Sequence, residues 1–436
     1  MSLNSTGTDP AEPPGSENEA AGGEKRPVVN AVLHLDSAYT VANVRARQHF
    51  SFFDARHRGQ TFDKIYGVHP LTGLIDGRRP VRLQWVRYSP RQLILDGYVE
   101  GEPQPRWKAP FQFLAAQARL FRASLRLARR PEVKLIFAAN EFYLGLFGLL
   151  LAWLTKKPLV VAAYANQDEL YAGAGTLANP RLLPARWLEK LVQRLVLRRA
   201  AMIESPTLNM RDYVIRNGAR PERVEMLPVV KYLPKVHFKP PAERPSPDGF
   251  LRSRGLSISD PVLLTVSRLH LLKHVDDAIH AMAIALRSDP KLVALIAGEG
   301  PHRAECEQLI RESGVGDRIY LLGDVDQQVL SRLYPRAVVL SPLTGMALIE
   351  AGLGESAIVA YDRDWQAEFL ESDVTGYLVP YRAVDAMAER VIELTRDPAL
   401  RARFGKAVRE MALVFADPDR MAAREYAAFA PFLDRS

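Results

Sequence analysis

Residues Ala337 to Asp362 read AVVLSPLTGMALIEAGLGESAIVAYD. The stretch opens and closes on short apolar runs, AVVLSP and AIVAYD. Between them a Thr-Gly turn leads into small and apolar residues at helical spacing. Strand, turn, helix, strand is the pattern of a parallel βαβ unit. One residue breaks the apolar run. Glu350 lies about one turn into the helical part, with no basic neighbour in sequence. A carboxylate there either caps or solvates a helix start, where negative charge is favoured, or it faces a ligand. Its two oxygens accept from two adjacent hydroxyls at once, as a ribose diol presents them.

The same pattern repeats on both sides. PVLLTVS, KLVALIAG and RIYLLG are further short apolar runs, followed by the helical patterns HVDDAIHAMAIALRS, HRAECEQLIRESG and DQQVLSRLY. Strands and helices alternating at this spacing imply a parallel sheet with right-handed crossovers. Earlier in the chain VVNAVLHL, VKLIFAA and PLVVAAY read as buried strands, and PFQFLAAQARLFRASLRLARR as an amphipathic helix. Pro234 to Pro247 breaks all periodicity. The expected organisation is a disordered tail over 1–27, a Rossmann-like domain over 28–233, and a proline-rich linker over 234–258. A second Rossmann-like domain over 259–415 and a C-terminal helix over 416–436, able to cross back to the first domain, complete it. Two doubly wound α/β domains bind ligands at the carboxyl ends of their strands.

Composition narrows the class. The chain has 436 residues, 47% hydrophobic and 25% charged, which is the balance of a globular protein. A formal charge of +8 favours anionic partners. The single cysteine, Cys306, excludes an intrachain disulfide framework and suits a reducing cytosol. FYLGLFGLLLAWLTKK, from Phe142, is too short to span a bilayer, which takes about 20 apolar residues. It reads as a buried or interfacial helix.

The loops after the strands carry the chemistry. Arg268 and Lys273 follow PVLLTVS, and a guanidinium fork with an ammonium point charge suits a phosphate or diphosphate. Gly298-Glu299-Gly300-Pro301 follows KLVALIAG and reads as a tight turn before a helix. Gly345, Met346 and Ala347 offer backbone amides beside Glu350. Two helices carry basic stripes, Arg186, Lys190, Arg194 and Arg198 on one, Arg119, Arg122, Arg126 and Arg129 on the other. Such stripes are either solvated faces or contacts to an anionic membrane surface. No nucleic-acid-binding module accompanies them.

Taken in order, VSRLHLLKHVDDAIHA, LIAGEGP, IYLLGDV, LSPLTGMALIEAGLGESAIVAYD and TGYLVP resemble the donor-binding domain of glycosyltransferase family 4. The resemblance covers roughly residues 260–380 and continues more weakly through the first half. It implies the GT-B fold, two facing Rossmann-like domains, the first for the acceptor and the second for a nucleotide-sugar donor. It also implies transfer of a hexosyl group with retention and without a metal or cofactor. The acceptor would be a lipid-linked glycan or a polysaccharide, in the cytoplasm or at the inner face of a membrane. By position, Arg268 and Lys273 would neutralise the departing diphosphate and Glu350 would hold the ribose. Gly345, Met346, Ala347 and Leu348 would face the sugar or phosphate. The stretch from Leu322 through Gly323 to Val325 would border the base. On the residues themselves, Tyr164, Asn166 and Asp168 either contact acceptor or sugar or belong to a surface turn, NQDELY.

The chain departs from the family pattern in places. Pro342 stands where a first glutamate is usual, Ser267 and His274 where glycines are usual, and Tyr164 where a histidine is usual. These departures sustain a second expectation, a nucleotide-sugar-binding or scaffold protein with impaired chemistry.

Overall fold

The computed structural model describes residues 29–37, 61–70, 81–89, 91–99, 101–180, 182–227, 233–256, 261–343 and 345–433. The expected tail over 1–27 lies outside the described residues. The chain divides into two compact units, one of residues 1–229 with 419–436, the other of residues 230–418.

Among the described residues the first unit holds an eight-stranded sheet in the order β3-β4-β2-β1-β5-β6-β7-β8. The strands are β1 (Ala31–Leu35), β2 (Lys64–Val68), β3 (Val81–Ser89), β4 (Gln92–Val99), β5 (Val133–Ala138), β6 (Leu159–Ala162), β7 (Met202–Ser205) and β8 (Val224–Met226). Pairing is parallel except for β3 against β4. Period-two alternation sends side chains to both faces, and both are covered. Leu33, Leu35, Ile136, Ala138 and Val161 point into one core with the helices Ala109–Ala128, Tyr143–Thr155 and Arg186–Arg199. Val32, Leu135, Phe137, Val160 and Ala162 point into the other, which Phe62 and Phe429 close. Those two rings meet edge to face at 5.4 Å. Phe429 belongs to the helix Pro418–Phe429, so the last helix completes the core of the first unit.

The second unit holds a six-stranded, all-parallel sheet ordered β11-β10-β9-β12-β13-β14. Its strands are β9 (Val262–Val266), β10 (Ala294–Ala297), β11 (Ile319–Gly323), β12 (Ala337–Ser341), β13 (Ala357–Tyr361) and β14 (Tyr377–Val379). Strands this buried on both faces read as continuous apolar runs, and the five runs expected from sequence coincide with β9 to β13.

The proline-rich stretch, expected as a linker, is folded onto the second unit. It forms short turns at Lys235–Phe238 and Pro241–Glu243 and a helix at Asp248–Ser253. Arg244 anchors it. The buried guanidinium donates to the carbonyls of His237, Lys239, Ser331 and Leu353 at 2.7 to 3.0 Å. Burial among neutral acceptors, with Arg409 nearby, lowers its pKa to about 10, while Glu355 pulls the other way. Among the described residues no helix is long and apolar enough to cross a membrane. The helix Tyr143–Thr155 buries Leu144, Phe147 and Leu151 but leaves Leu150, Trp153 and Leu154 exposed. Cys306 is buried, and burial pushes its thiol up to about 11, so it is not poised as a nucleophile.

Candidate active site

Three loops meet at the carboxyl end of the second sheet because their strands are neighbours. β9 pairs with β10 on one side and β12 on the other. The loops after β9 and β10 are sewn together by backbone hydrogen bonds. Ser267 N–H donates to the Ala297 carbonyl, Leu269 N–H to Glu299, and His302 N–H to Leu269, at 3.0, 3.0 and 3.1 Å. That approach requires Gly298 and Gly300. A Cβ on Gly298 would stand 1.9 Å from the Ser267 carbonyl oxygen, and one on Gly300 would stand 2.1 Å from that of Leu269. The Gly-Glu-Gly turn is therefore what lets the β9 loop lie flat. On its far side Gly298 donates to the Gly323 carbonyl at 2.8 Å, bringing the end of β11, with Val325 beyond it, to the same edge.

Arg268 projects from this loop, exposed and without a hydrogen-bond or ion-pair partner among the described residues. Lys273 ends a short turn at Leu271–Lys273. Burial lowers the pKa of its ammonium, Asp364 opposes that, and the charge of Arg268 lowers it further. Two cations thus share one locality, and one of them has shed much of its water. His274, where glycine is usual, takes a left-handed backbone at φ 49°. Its ring meets the Tyr381 hydroxyl at 2.9 Å, and the Arg382 guanidinium is also bonded to it. A strained position is held by its side chain.

Gly345, Met346, Ala347 and Leu348 form the turn after β12 and the start of the helix Ala347–Leu353; Thr344 lies outside the described residues. Pro342 is buried in this turn. Glu350 is 5% exposed. Its Oε2 accepts the Tyr334 hydroxyl at 2.9 Å and lies 4.0 Å from His237 Nε2, itself 2.6 Å from Gln327 Oε1. Oε1 of Glu350 accepts no hydrogen bond from the described residues. Burial lowers the His237 pKa, against the pull of Glu350 and Gln327 and with a small push from Arg244. Glu350, which has no cationic neighbour in sequence, thus has one oxygen pinned and the other available. Sequence reasoning did not find Tyr334 or His237 as the groups that hold it. Tyr334 reads there as the end of a helix and His237 as part of a linker.

The residues proposed on the first unit have other work. Tyr164 donates to buried Glu204 at 3.0 Å. Asn166 caps the helix Gln167–Ala174 by accepting from the amides of Asp168 and Glu169. Asp168 pairs with Arg186 and Lys190 and accepts from Asn217 at 2.9 Å. Desolvation raises its pKa, but Asn217, Lys190 and Arg186 together outweigh that and leave it lowered. Nearby, buried Glu141 accepts the Tyr213 hydroxyl at 2.8 Å and the Gln193 amide at 3.2 Å, a cluster with no local sequence signal. Among the described residues no three His, Cys, Asp or Glu side chains are grouped to hold a metal ion.

Comparison with known proteins adds the lineage. Residues 251–411 match the family described as glycosyl transferases group 1, and residues 66–229 match the glycosyl transferase 4-like domain. The chain is 30% identical over 228 residues to an alpha-D-kanosaminyltransferase of Streptomyces kanamyceticus, a match covering 51% of this chain and 57% of that protein. It is 21% identical over 266 residues to an alpha-monoglucosyldiacylglycerol synthase of Streptococcus pneumoniae, covering 59% and 58%. Both matches span less than two thirds of the relative. Among solved structures, Anabaena HepE in complex with UDP and glucose superposes with a TM-score of 0.68 at 16% identity, over 92% of this chain and all of that one. Sucrose-phosphate synthase of Thermosynechococcus elongatus gives 0.66 at 17%, over 92% and 98%. At these identities the likeness establishes the fold, GT-B with its two parallel-sheet domains. With both domain matches present in order, the chain belongs to the group 1, family 4-like glycosyltransferases.

Proposed function

We propose that the chain transfers a sugar from a nucleotide-sugar donor held at the carboxyl end of the second sheet. The observation that carries this reading is the pairing of β9 with β12. It sets the Arg268–Lys273 cations and the half-pinned carboxylate of Glu350 on adjacent loops. In this reading the cations take the diphosphate, and the available Glu350 oxygen accepts from the ribose. The turn from Gly345 to Leu348 lies along the sugar, and Gly323 to Val325 border the base. As the anomeric C–O bond breaks, its electron pair leaves on the diphosphate, where preorganised cations stabilise it. Retention of configuration, a hexosyl group and independence of metal belong to the proposal. So does an acceptor that is lipid-linked or a polysaccharide, met in the cytoplasm at the inner membrane face. Relatives whose names specify a diacylglycerol product and a poly(ribitol-phosphate) acceptor are consistent with it.

The test is calorimetric titration with UDP-, GDP-, ADP- and TDP-sugars. Glu350→Ala is expected to weaken the donor that binds by about tenfold or more, about 1.4 kcal/mol. Arg268→Ala with Lys273→Ala is expected to cost about a hundredfold in turnover. Unchanged affinity in the first or full turnover in the second overturns the assignment. Pro342 favours one other reading, because it places no carboxylate where the family has its first glutamate. Donor binding without transfer or hydrolysis would identify a nucleotide-sugar-binding protein.

A further inference from the structure

A second cluster of cations lies on the first unit. The helix Arg186–Arg199 and the end of the helix Leu208–Arg216 border an open cavity of about 390 Å³, lined by Trp187, Lys190, Leu191, Arg194, Arg216 and Asn217. Lys190 is engaged by Asp168 and Asn217. The guanidiniums of Arg194 and Arg216 have no hydrogen-bond or ion-pair partner among the described residues. Arg194 is aimed by its stem, which lies over Gly218. A Cβ there would stand 3.0 Å from Arg194 Cγ, and φ at Gly218 is +108°. Beside these polar groups the lining presents two apolar side chains, Trp187 and Leu191, 70% and 60% exposed.

Acids are few on the helices around it, although Asp168 holds Lys190 of the lining and Asp212 lies one turn before Arg216. The only acid on the helix Arg186–Arg199 is Glu189, which is fully buried. The helix Tyr143–Thr155 packs between it and the helix Ala109–Ala128, and neither of those two contains an Asp or Glu. They expose Phe111, Leu114, Leu150 and Trp153, with Arg122 and Arg126. Exposed tryptophans beside basic residues match the level of lipid headgroups.

We propose that this cavity binds the phosphate of a phospholipid. Arg194 and Arg216 clasp its oxygens, and Trp187 and Leu191 lie along its glycerol and chain. Two unpaired guanidiniums are suited to an oxyanion. A free phosphate would use the cations but leave Trp187 and Leu191 without a partner. The proposal deepens the membrane-side reading above and rests on it.

The test is sedimentation of the full chain with phosphatidylcholine vesicles, with and without phosphatidylglycerol. Wild type is expected to bind the anionic vesicles, and Arg194→Gln with Arg216→Gln to bind them about tenfold more weakly. Arg122→Gln with Arg126→Gln removes the same charge from the neighbouring face and is expected to lose far less. Equal loss in both pairs leaves only diffuse attraction and overturns the site. No binding by wild type overturns the membrane reading itself, a separate outcome. Short-chain phosphatidylglycerol is expected to displace the vesicles at concentrations where inorganic phosphate does not. Displacement by inorganic phosphate alone assigns the cavity to free anions and overturns the lipid. All four arginines are exposed, so the variants are expected to fold, which their thermal midpoints check.

Discussion

Tyr334 donates its hydroxyl to Glu350 Oε2 at 2.9 Å, and both residues are buried. The bond leaves the carboxylate with one oxygen for a ligand. Tyr334→Phe removes the donor and keeps the ring. It is expected to cost about 1–3 kcal/mol of stability, the penalty of a buried acceptor left unmet, and to weaken donor binding several-fold. Denaturant titration and calorimetry read the two effects separately. A stability loss with unchanged donor affinity would make Tyr334 a packing residue only.

Gly298→Ala and Gly300→Ala each force a Cβ against a backbone oxygen of the β9 loop, and no rotamer relieves it. Each is expected to cost about 2 kcal/mol or more and to reduce donor affinity by shifting Arg268. Gly249→Ala serves as the control. A Cβ there meets nothing within 4 Å, and the change within a helix is expected to be neutral or slightly stabilising. Equal midpoints for all three variants would remove the close-approach argument.

Glu141 sets a pH dependence. Burial raises its carboxyl from 4.5 to about 7, against Tyr213 and Gln193, which hydrogen-bond the charged form. As pH rises from 4.5 the unfolded chain ionises first. Stability present below 4.5 therefore falls by about 1.4 kcal/mol per pH unit and is lost by about 7. Glu141→Gln keeps an acceptor for Tyr213 and does not titrate. The stability of wild type minus that of the variant should decline across this window and level off outside it. A constant difference would mean that the carboxyl ionises normally. The difference must be read because His69 acts oppositely: burial lowers it to about 4, so its contribution is lost as pH falls from 6.5.

Phe429→Ala opens the core shared with Phe62. It is expected to cost about 3–5 kcal/mol, confined to the first unit. Scanning calorimetry that resolves two transitions should show one lowered and the other unmoved. Two transitions shifted equally would contradict the division of the core.

The second sheet was legible because each strand is a compact apolar run bounded by turn residues, and its loops inherit their positions from strand order. Arg268, Lys273 and Glu350 stand out as candidates for that reason. The first sheet was harder to read. β2 (KIYGV) and β7 (MIES) mix polar and apolar residues, and β3 and β4 are an antiparallel pair in a mostly parallel sheet. Tyr334 and His237 left no signal, because their role depends on long-range packing that no local pattern encodes. Asn166 and Asp168 looked available from sequence for the opposite reason, since the cap and the cations that occupy them are tertiary contacts.

The return of the last helix also fixes an order of events during synthesis. All eight described strands of the first unit have emerged by residue 229, but Phe429 comes after roughly 200 further residues. At about 5–20 residues per second that is a wait of roughly 10–40 s with one sheet face lacking its last covering helix. The unit begun first is thus finished last, and the unit between them, uninterrupted in sequence, has the time to fold ahead of it.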